Sequence, residues 1–311
     1  MRKGIDLKVR IAKGGKKGLL LANPVIGASG TWGYGDEFGK LIDVNRLGAL
    51  ICKGTTLKPR KGNPQPRIIE VTAGVLNSVG LQNIGVEALI KKKAPLWATW
   101  TAPVIVNIAG ESVEEYAAVA ARLEGVAGVS GIEVNISCPN VKKGGMQFGT
   151  DPATAAAVTR AVKEATTLPV IVKLSPNVTD IVTIARAVEK AGADAVSLIN
   201  TLTGMAVDTA QRKPRLNNIC GGLSGPAIKP VALYMVYQVA GAVKIPVIGC
   251  GGIMTAGDAL EFIMAGATAV QVGTAALINP RTAIDIIEGI EQYLADNGFS
   301  SIAEIRGLAR V

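Results

Sequence analysis

Short runs of consecutive apolar residues recur along the chain, separated by turns rich in Gly and Pro and by longer alanine-rich segments with helical spacing. Eight runs stand out, at residues 24–28, 49–53, 104–108, 132–136, 170–174, 195–199, 247–250 and 269–272. Most are continuously apolar rather than alternating, as parallel strands covered on both faces require.

The segments between them carry helix start and stop signals. Ser112 precedes Val113-Glu114-Glu115 as a capping box, Asp151-Pro152 opens a helix to about residue 166, and Thr179-Asp180 opens one that ends at Gly192. Further helices are predicted over 227–243, 255–265 and 281–297, the last stopped by Gly298. Eight strand–helix units in one chain of 311 residues predict an α/β protein with a (β/α)8 barrel, not two doubly wound domains. Without a linker or low-complexity stretch, residues 1–311 read as one domain.

Composition agrees and narrows the chemistry. A chain that is 49% hydrophobic and 18% charged, with mean hydropathy +0.34, has ample material for a core. It contains no histidine, which removes Ser-His-Asp and Cys-His arrangements and His-ligated zinc. Its four cysteines, Cys52, Cys138, Cys220 and Cys250, form no C-x-x-C, so neither a metal site nor an iron–sulfur site is expected on this chain. Such cysteine usage fits a reducing, cytoplasmic setting.

The formal charge of +9 is partly gathered in residues 1–17, where Arg2, Lys3, Lys8, Arg10, Lys13, Lys16 and Lys17 face only Asp6. With aromatics at 4% and no nucleic-acid motif, the excess reads first as a solvated face and next as attraction for anionic small molecules, not as a nucleic-acid site. The basic start is no signal peptide, because the apolar stretch after it runs into Asn23-Pro24. The uncharged stretch 262–280 is broken by Gly266, Gln271, Gly273, Asn279 and Pro280, so no membrane span is expected.

In such a barrel the chemistry gathers at the C-terminal strand ends. The residues there are Ser29, Lys53, Asn107, Asn135, Lys173, Asn200, Gly251 and Gly273; five of the eight are Asn or Lys and none is acidic. Unpartnered, each buried polar group would cost roughly 1–3 kcal/mol, so the mouth is expected to hold something polar and electron-rich. The glycines at Gly251-Gly252 and Gly273-Thr274 follow strands 7 and 8, where a barrel commonly cradles a phosphate. Cys138 lies just past an apolar run and before Pro139, which puts its thiol in the mouth. Cys52 and Cys250, inside their strands, read as small buried hydrophobes, while Cys220 reads equally as an ordinary loop residue or a partner-facing one. Lys53 and Lys173 each end an apolar run and are each expected to meet an anion.

Taken in order, Ala28-Ser29-Gly30, Lys53-Gly54, Asn77-Ser78-Val79-Gly80-Leu81-Gln82-Asn83, Asn135-Ile136-Ser137-Cys138-Pro139-Asn140, Asn200-Thr201, Gly222-Leu223-Ser224-Gly225, Gly251-Gly252 and Gly273-Thr274 resemble the dihydroorotate dehydrogenase family over essentially the whole chain. The resemblance implies FMN in a (β/α)8 barrel and oxidation of dihydroorotate to orotate in pyrimidine biosynthesis. It implies that Ser29, Lys53, Gly54, Asn107, Asn135, Lys173, Ile199, Gly225, Gly251, Gly252, Gly273 and Thr274 hold FMN. Lys53, Asn77, Ser78, Val79, Gly80, Leu81, Asn135, Asn200 and Thr201 would hold substrate, and Cys138 would be the base. Cys138 in place of a serine, and a start without an extension, resemble the soluble class 1. The 222–230 segment with Val79 and Gln82 looks like type B, which pairs with a subunit carrying FAD and [2Fe-2S] to reduce NAD; a homodimer of this chain inside a heterotetramer is the implied assembly. The alternatives are a fumarate-linked homodimer, a flavin barrel acting on another pyrimidine, or a Schiff-base lyase barrel acting on a phosphorylated substrate.

Overall fold

In the computed structural model, which describes residues 4–12, 18–137, 139–140 and 146–311, all eight apolar runs are strands. They are β1 (Val25–Gly27), β2 (Ala49–Thr55), β3 (Val104–Ile108), β4 (Gly131–Asn135), β5 (Val170–Lys173), β6 (Ala195–Leu198), β7 (Val247–Cys250) and β8 (Ala269–Val272). Each pairs in parallel with its neighbours in sequence, and β8 closes back on β1 through Val270–Val25, Gln271–Ile26 and Val272–Gly27. The result is the expected closed β/α barrel. β1, β3, β5, β6 and β8 are buried at every position, which is why their sequences show no alternation.

The helices begin where the sequence signals them. Ser112 Oγ accepts from Glu115 N ahead of Val113–Leu123, Asp151 caps Pro152–Ala165, and Asp180 caps Ile181–Lys190. Ahead of Ala256–Met264, Thr255 and Asp258 make a full reciprocal capping box. At Ser112 the box is only half made, since Glu115 Oε2 accepts from Glu111 N instead. The segment expected as one helix over 227–243 is a 3-10 turn, Pro226–Ile228, leading into Lys229–Ala240; Pro230 sits in its first turn, where a missing N–H is tolerated.

The barrel departs from eight equal units in two ways. Between β1 and β2 the connection carries only a 3-10 turn, Val44–Arg46, because glycines at 30, 33, 35 and 39 break the helical pattern. Between β2 and β3 two short helices, Val86–Lys92 and Ala94–Trp97, appear where none was expected. Insertions after β2 and β6 also combine into a four-stranded antiparallel sheet, in the spatial order Leu202–Met205, Cys220–Ser224, Gly74–Asn77, Ile68–Val71. These strands are short, glycine-containing and at most half-buried for the most part, so the apolar pattern did not mark them. An antiparallel hairpin, Val9–Ala12 with Leu19–Leu21, meets the opposite end of the barrel, where Leu19 packs at Gly131. One hydrophobic cluster runs from Leu7 to Ile305. Among the described residues, no helix is long and apolar enough to cross a membrane.

The β8–β1 seam is locked from above by Trp32. Its indole is fully buried, its Nε1 donates to Val272 O at 2.8 Å, and its ring lies 4.5 Å from that of Phe38. A side chain on Gly27 would strike Leu50 and Trp32, at 2.9 and 3.0 Å. Trp32→Ala is expected to cost about 3–5 kcal/mol of stability, read as a lower urea midpoint by circular dichroism.

Candidate active site

Polar side chains interrupt the apolar interior, among them Glu133 on β4, Ser197 on β6 and Gln271 on β8. Side chains from alternate strands share a layer in such barrels, and here they converge. Glu133 Oε1 accepts from Ser197 Oγ at 2.8 Å and from Gln271 Nε2 at 2.7 Å, while Oε2 accepts from Asn107 Nδ2 at 2.6 Å. Toward the C-terminal strand ends comes Lys173, 5% exposed, whose Nζ donates to Gln271 Oε1 at 2.6 Å and lies 3.6 Å from Cys250 Sγ and 4.0 Å from Glu133 Oε1.

Burial works against the Lys173 ammonium, but the adjoining Cys250 sulfur and Glu133 carboxylate outweigh it and raise its pKa. Desolvation pushes the Cys250 thiol up despite the neighbouring cation. The acidic side chain that meets Lys173 is Glu133, at 4.0 Å, a residue the strand-end reading passed over. Its signal was present in the sequence: a single carboxylate inside the apolar run 132–136. Cys250 likewise reads differently in three dimensions, as a contact of Lys173 and not only as core filling.

The glycine-bearing loops meet at one edge of the mouth. Gly251 and Gly252 have φ of +132° and +73°. A Cβ on Gly251 would lie 2.7 Å from Ala232 Cβ and 3.4 Å from Ile199 Cγ1, and one on Gly252 would lie 2.7 Å from Lys229 Cβ. The close approach that demands glycine at these two positions is thus to the start of the Lys229–Ala240 helix. Gly225 adjoins Gly74 and Thr274, and Thr274 Oγ1 donates to Ser224 Oγ at 2.9 Å. Gly273 faces Ala28 and Thr31, and half-buried Ser29 follows on the same turn. Gly54 lies between the Leu81 side chain and Asn107 Oδ1.

The amides form a second group. Asn135 Oδ1 accepts from Asn200 Nδ2 at 3.2 Å and from Ser137 N at 3.1 Å, and its carbonyl accepts from Tyr116 Oη at 2.6 Å. Asn77 Nδ2 donates to Gly222 O at 3.2 Å, and Thr201 packs directly on Gly222, leaving no room for a methyl there. The loop from Ser78 through Val79 and Gly80 to Leu81 is held by residues the sequence reading missed. Asn63 Nδ2 donates to Ser78 O at 2.8 Å, Asn63 N to Val79 O at 2.9 Å, and Ser78 N to Arg67 O at 2.8 Å. Nothing in the sequence pattern distinguishes Asn63 or Arg67 from ordinary turn residues.

Lys53 Nζ stands 5.8 Å from the centre of the Tyr34 ring, and no carboxylate among the described residues lies within 4.0 Å of it. The buried hydroxyls Ser78 Oγ and Ser137 Oγ have no hydrogen-bond partner among the described residues. One end of the barrel therefore presents a cation and two hydroxyls without matching groups from those residues. Cys138 lies outside the described residues; the pair Pro139–Asn140 with Met146–Gln147 flanks its loop.

A family model described as "Dihydroorotate dehydrogenase" matches residues 13–294. Curated relatives named "Dihydroorotate dehydrogenase B (NAD(+)), catalytic subunit" include those of Geobacter sp. (strain M21), 58% identical over 97% of this chain and 97% of that protein. Those of Geobacter sulfurreducens, 58% identical over 98% and 99%, and Desulforamulus reducens, 58% identical over 99% and 99%, carry the same name.

The three described cysteines differ in reactivity. Cys220 is exposed, whereas burial pushes the fully buried Cys52 thiol up to about 12, leaving roughly 10⁻⁴ of it as thiolate at pH 8. Alkylation of the native protein at pH 8 is expected to label Cys220 and to spare Cys52 and Cys250 until unfolding, as read by peptide mass mapping.

Proposed function

The chain belongs to the dihydroorotate dehydrogenase family, and from that premise we propose that it oxidises dihydroorotate to orotate, in pyrimidine biosynthesis, with FMN held at the C-terminal end of the barrel. The observation that carries this reading is the buried Lys173 ammonium in a mouth otherwise lined by amides and glycine turns. Orphaned Ser78 and Ser137 hydroxyls fit a polar occupant of that mouth. Ser29, Lys53, Gly54, Asn107, Asn135, Lys173, Ile199, Gly225, Gly251, Gly252, Gly273 and Thr274 are the residues that would hold FMN. When bound, it supplies the two-electron acceptor for the hydrogen leaving C6 of the substrate.

The chain's own residues account for the rest. Asn77, Asn135 and Asn200, with Ser78 and Thr201, offer donors and acceptors of the kind a pyrimidine ring matches, and the backbone of Val79, Gly80 and Leu81 completes that wall. Lys53, with no carboxylate partner among the described residues, is suited to the substrate's carboxylate. Cys138 would take the proton from C5, its thiolate serving as the base in a chain that has no histidine. Lys173 would lie against the flavin and favour negative charge on its reduced ring.

Onward transfer to NAD is proposed to run through a partner subunit carrying FAD and [2Fe-2S], in a heterotetramer built on a homodimer of this chain. A [2Fe-2S] cluster requires four ligands. Of the four cysteines, Cys52 and Cys250 lie on β2 and β7, Cys138 is assigned as base, and only Cys220 is left. Among the described residues, no cluster of three or more His, Cys, Asp or Glu is suited to a metal. We read the whole assembly as cytoplasmic, and residues 1–311 as one domain.

The chromophore released on denaturation is expected to be FMN. Cys138→Ala should keep it while losing about 10²- to 10⁴-fold in dihydroorotate oxidation; a colourless chain that FMN cannot reconstitute, or full turnover in the variant, refutes the assignment. The two lysines should separate. Lys53→Ala is expected to weaken orotate binding by about tenfold or more, measured by titration, whereas Lys173→Ala should lower the flavin's reduction potential more than it changes orotate affinity.

A further inference from the structure

Glu133 has no accessible surface, and all three of its hydrogen-bonding partners, Asn107 Nδ2, Ser197 Oγ and Gln271 Nε2, donate to it. A carboxylate, which only accepts, is the form that satisfies all three. The Gln271 amide bridges the two charges, its oxygen accepting from Lys173 Nζ at 2.6 Å and its nitrogen donating to Glu133 Oε1 at 2.7 Å. The ammonium and carboxylate consequently stand 4.0 Å apart instead of in direct contact. Their heights in the barrel differ as well. Lys173 ends β5 and is level with Asn135 across the β4–β5 ladder, while Glu133 lies two residues deeper on β4. The lysine faces the mouth, and the carboxylate lies beneath it in the core.

Such an arrangement is costly if its only purpose is packing, because an apolar side chain of similar volume would fill the layer without desolvating a charge. It makes sense as a counter-charge. We propose that Glu133 is a positioning residue that, through Gln271, fixes Lys173 and, directly, Asn107, and that its charge sets the reduction potential of the flavin by offsetting the lysine's pull on the electrons. The inference rests on the reading that FMN lies against Lys173. Its sign follows while Lys173 stays an ammonium: an ammonium near the flavin favours the reduced, anionic ring, a carboxylate behind that ammonium disfavours it, and removing the carboxylate shifts the balance toward reduction.

The test uses the full chain loaded with FMN, with the flavin potential measured by equilibration against a reference dye. Glu133→Gln keeps the shape of the side chain and removes its charge. At a fixed solution potential, the ratio of reduced to oxidised flavin is expected to rise at least tenfold, equivalent to about 30 mV for a two-electron couple. Glu133→Asp, which keeps the charge, should stay within about threefold of the parent. A merely structural carboxylate predicts no upward shift for the isosteric amide, so a Glu133→Gln flavoprotein with the parental or a lowered ratio overturns the proposal. If that variant gives no cooperative melt, Glu133→Met, which also removes the charge at similar volume, decides: its ratio should rise at least tenfold, and an unchanged or lowered ratio overturns the proposal. A parent chain that binds no FMN removes the cofactor reading itself, an outcome visible before any variant is made.

Discussion

A carboxylate shut inside eight parallel strands sets the terms for everything around it. Glu133 cannot reach water, so its neighbours on β3, β6 and β8 must all supply donors, and they do so at 2.6–2.8 Å. Taking away one of these donors removes a buried hydrogen bond to a charge, a loss of about 1.5–3 kcal/mol. Strands that are otherwise interchangeable apolar runs are thereby given distinct identities: only one carries an acid, only one the amide that spans to Lys173. The same network defines the floor on which the mouth stands, because Asn107 and Lys173 are members of both.

Above that floor the charge changes sign. Beyond Glu133 the strand ends carry Lys53, Lys173 and a set of asparagines, with no acid among them. Lysine at the rim and carboxylate in the depth make the barrel axis a directed electrostatic gradient, positive outward, which suits an electron-rich, carboxylate-bearing guest. Lys53 is half-buried beside the Tyr34 ring, a setting where an incoming anion would meet it partly desolvated and so more strongly than in water.

The barrel itself was plainly written in the chain, since continuous apolar runs and cap residues such as Asp151, Asp180 and Thr255 act locally and leave local marks. The strand-end residues were legible for the same reason: position after an apolar run is a one-dimensional property. What escaped was whatever depends on meeting a distant residue. Glu133 was visible as an oddity within its strand, but its partners lie 26, 64 and 138 positions away. Asn63 and Arg67 look like turn residues until they are seen gripping the loop at Ser78 and Val79. The antiparallel sheet was hidden because its strands are short and half-exposed, and the pairing that joins its two halves, Gly74–Asn77 with Cys220–Ser224, spans more than a hundred residues.

That sheet is assembled from two insertions that are remote in sequence and inseparable in space. Gly221, from the insertion after β6, lies so close to the Asn77 carbonyl that no larger residue fits, and Gly74 is pressed in the same way against the Ser224 carbonyl. The two stretches therefore form one cassette encoded in two pieces. A side chain added at Gly74 or Gly221 meets the backbone of the other insertion, which side-chain repacking cannot relieve, so each insertion limits what the other may become although more than a hundred residues separate them.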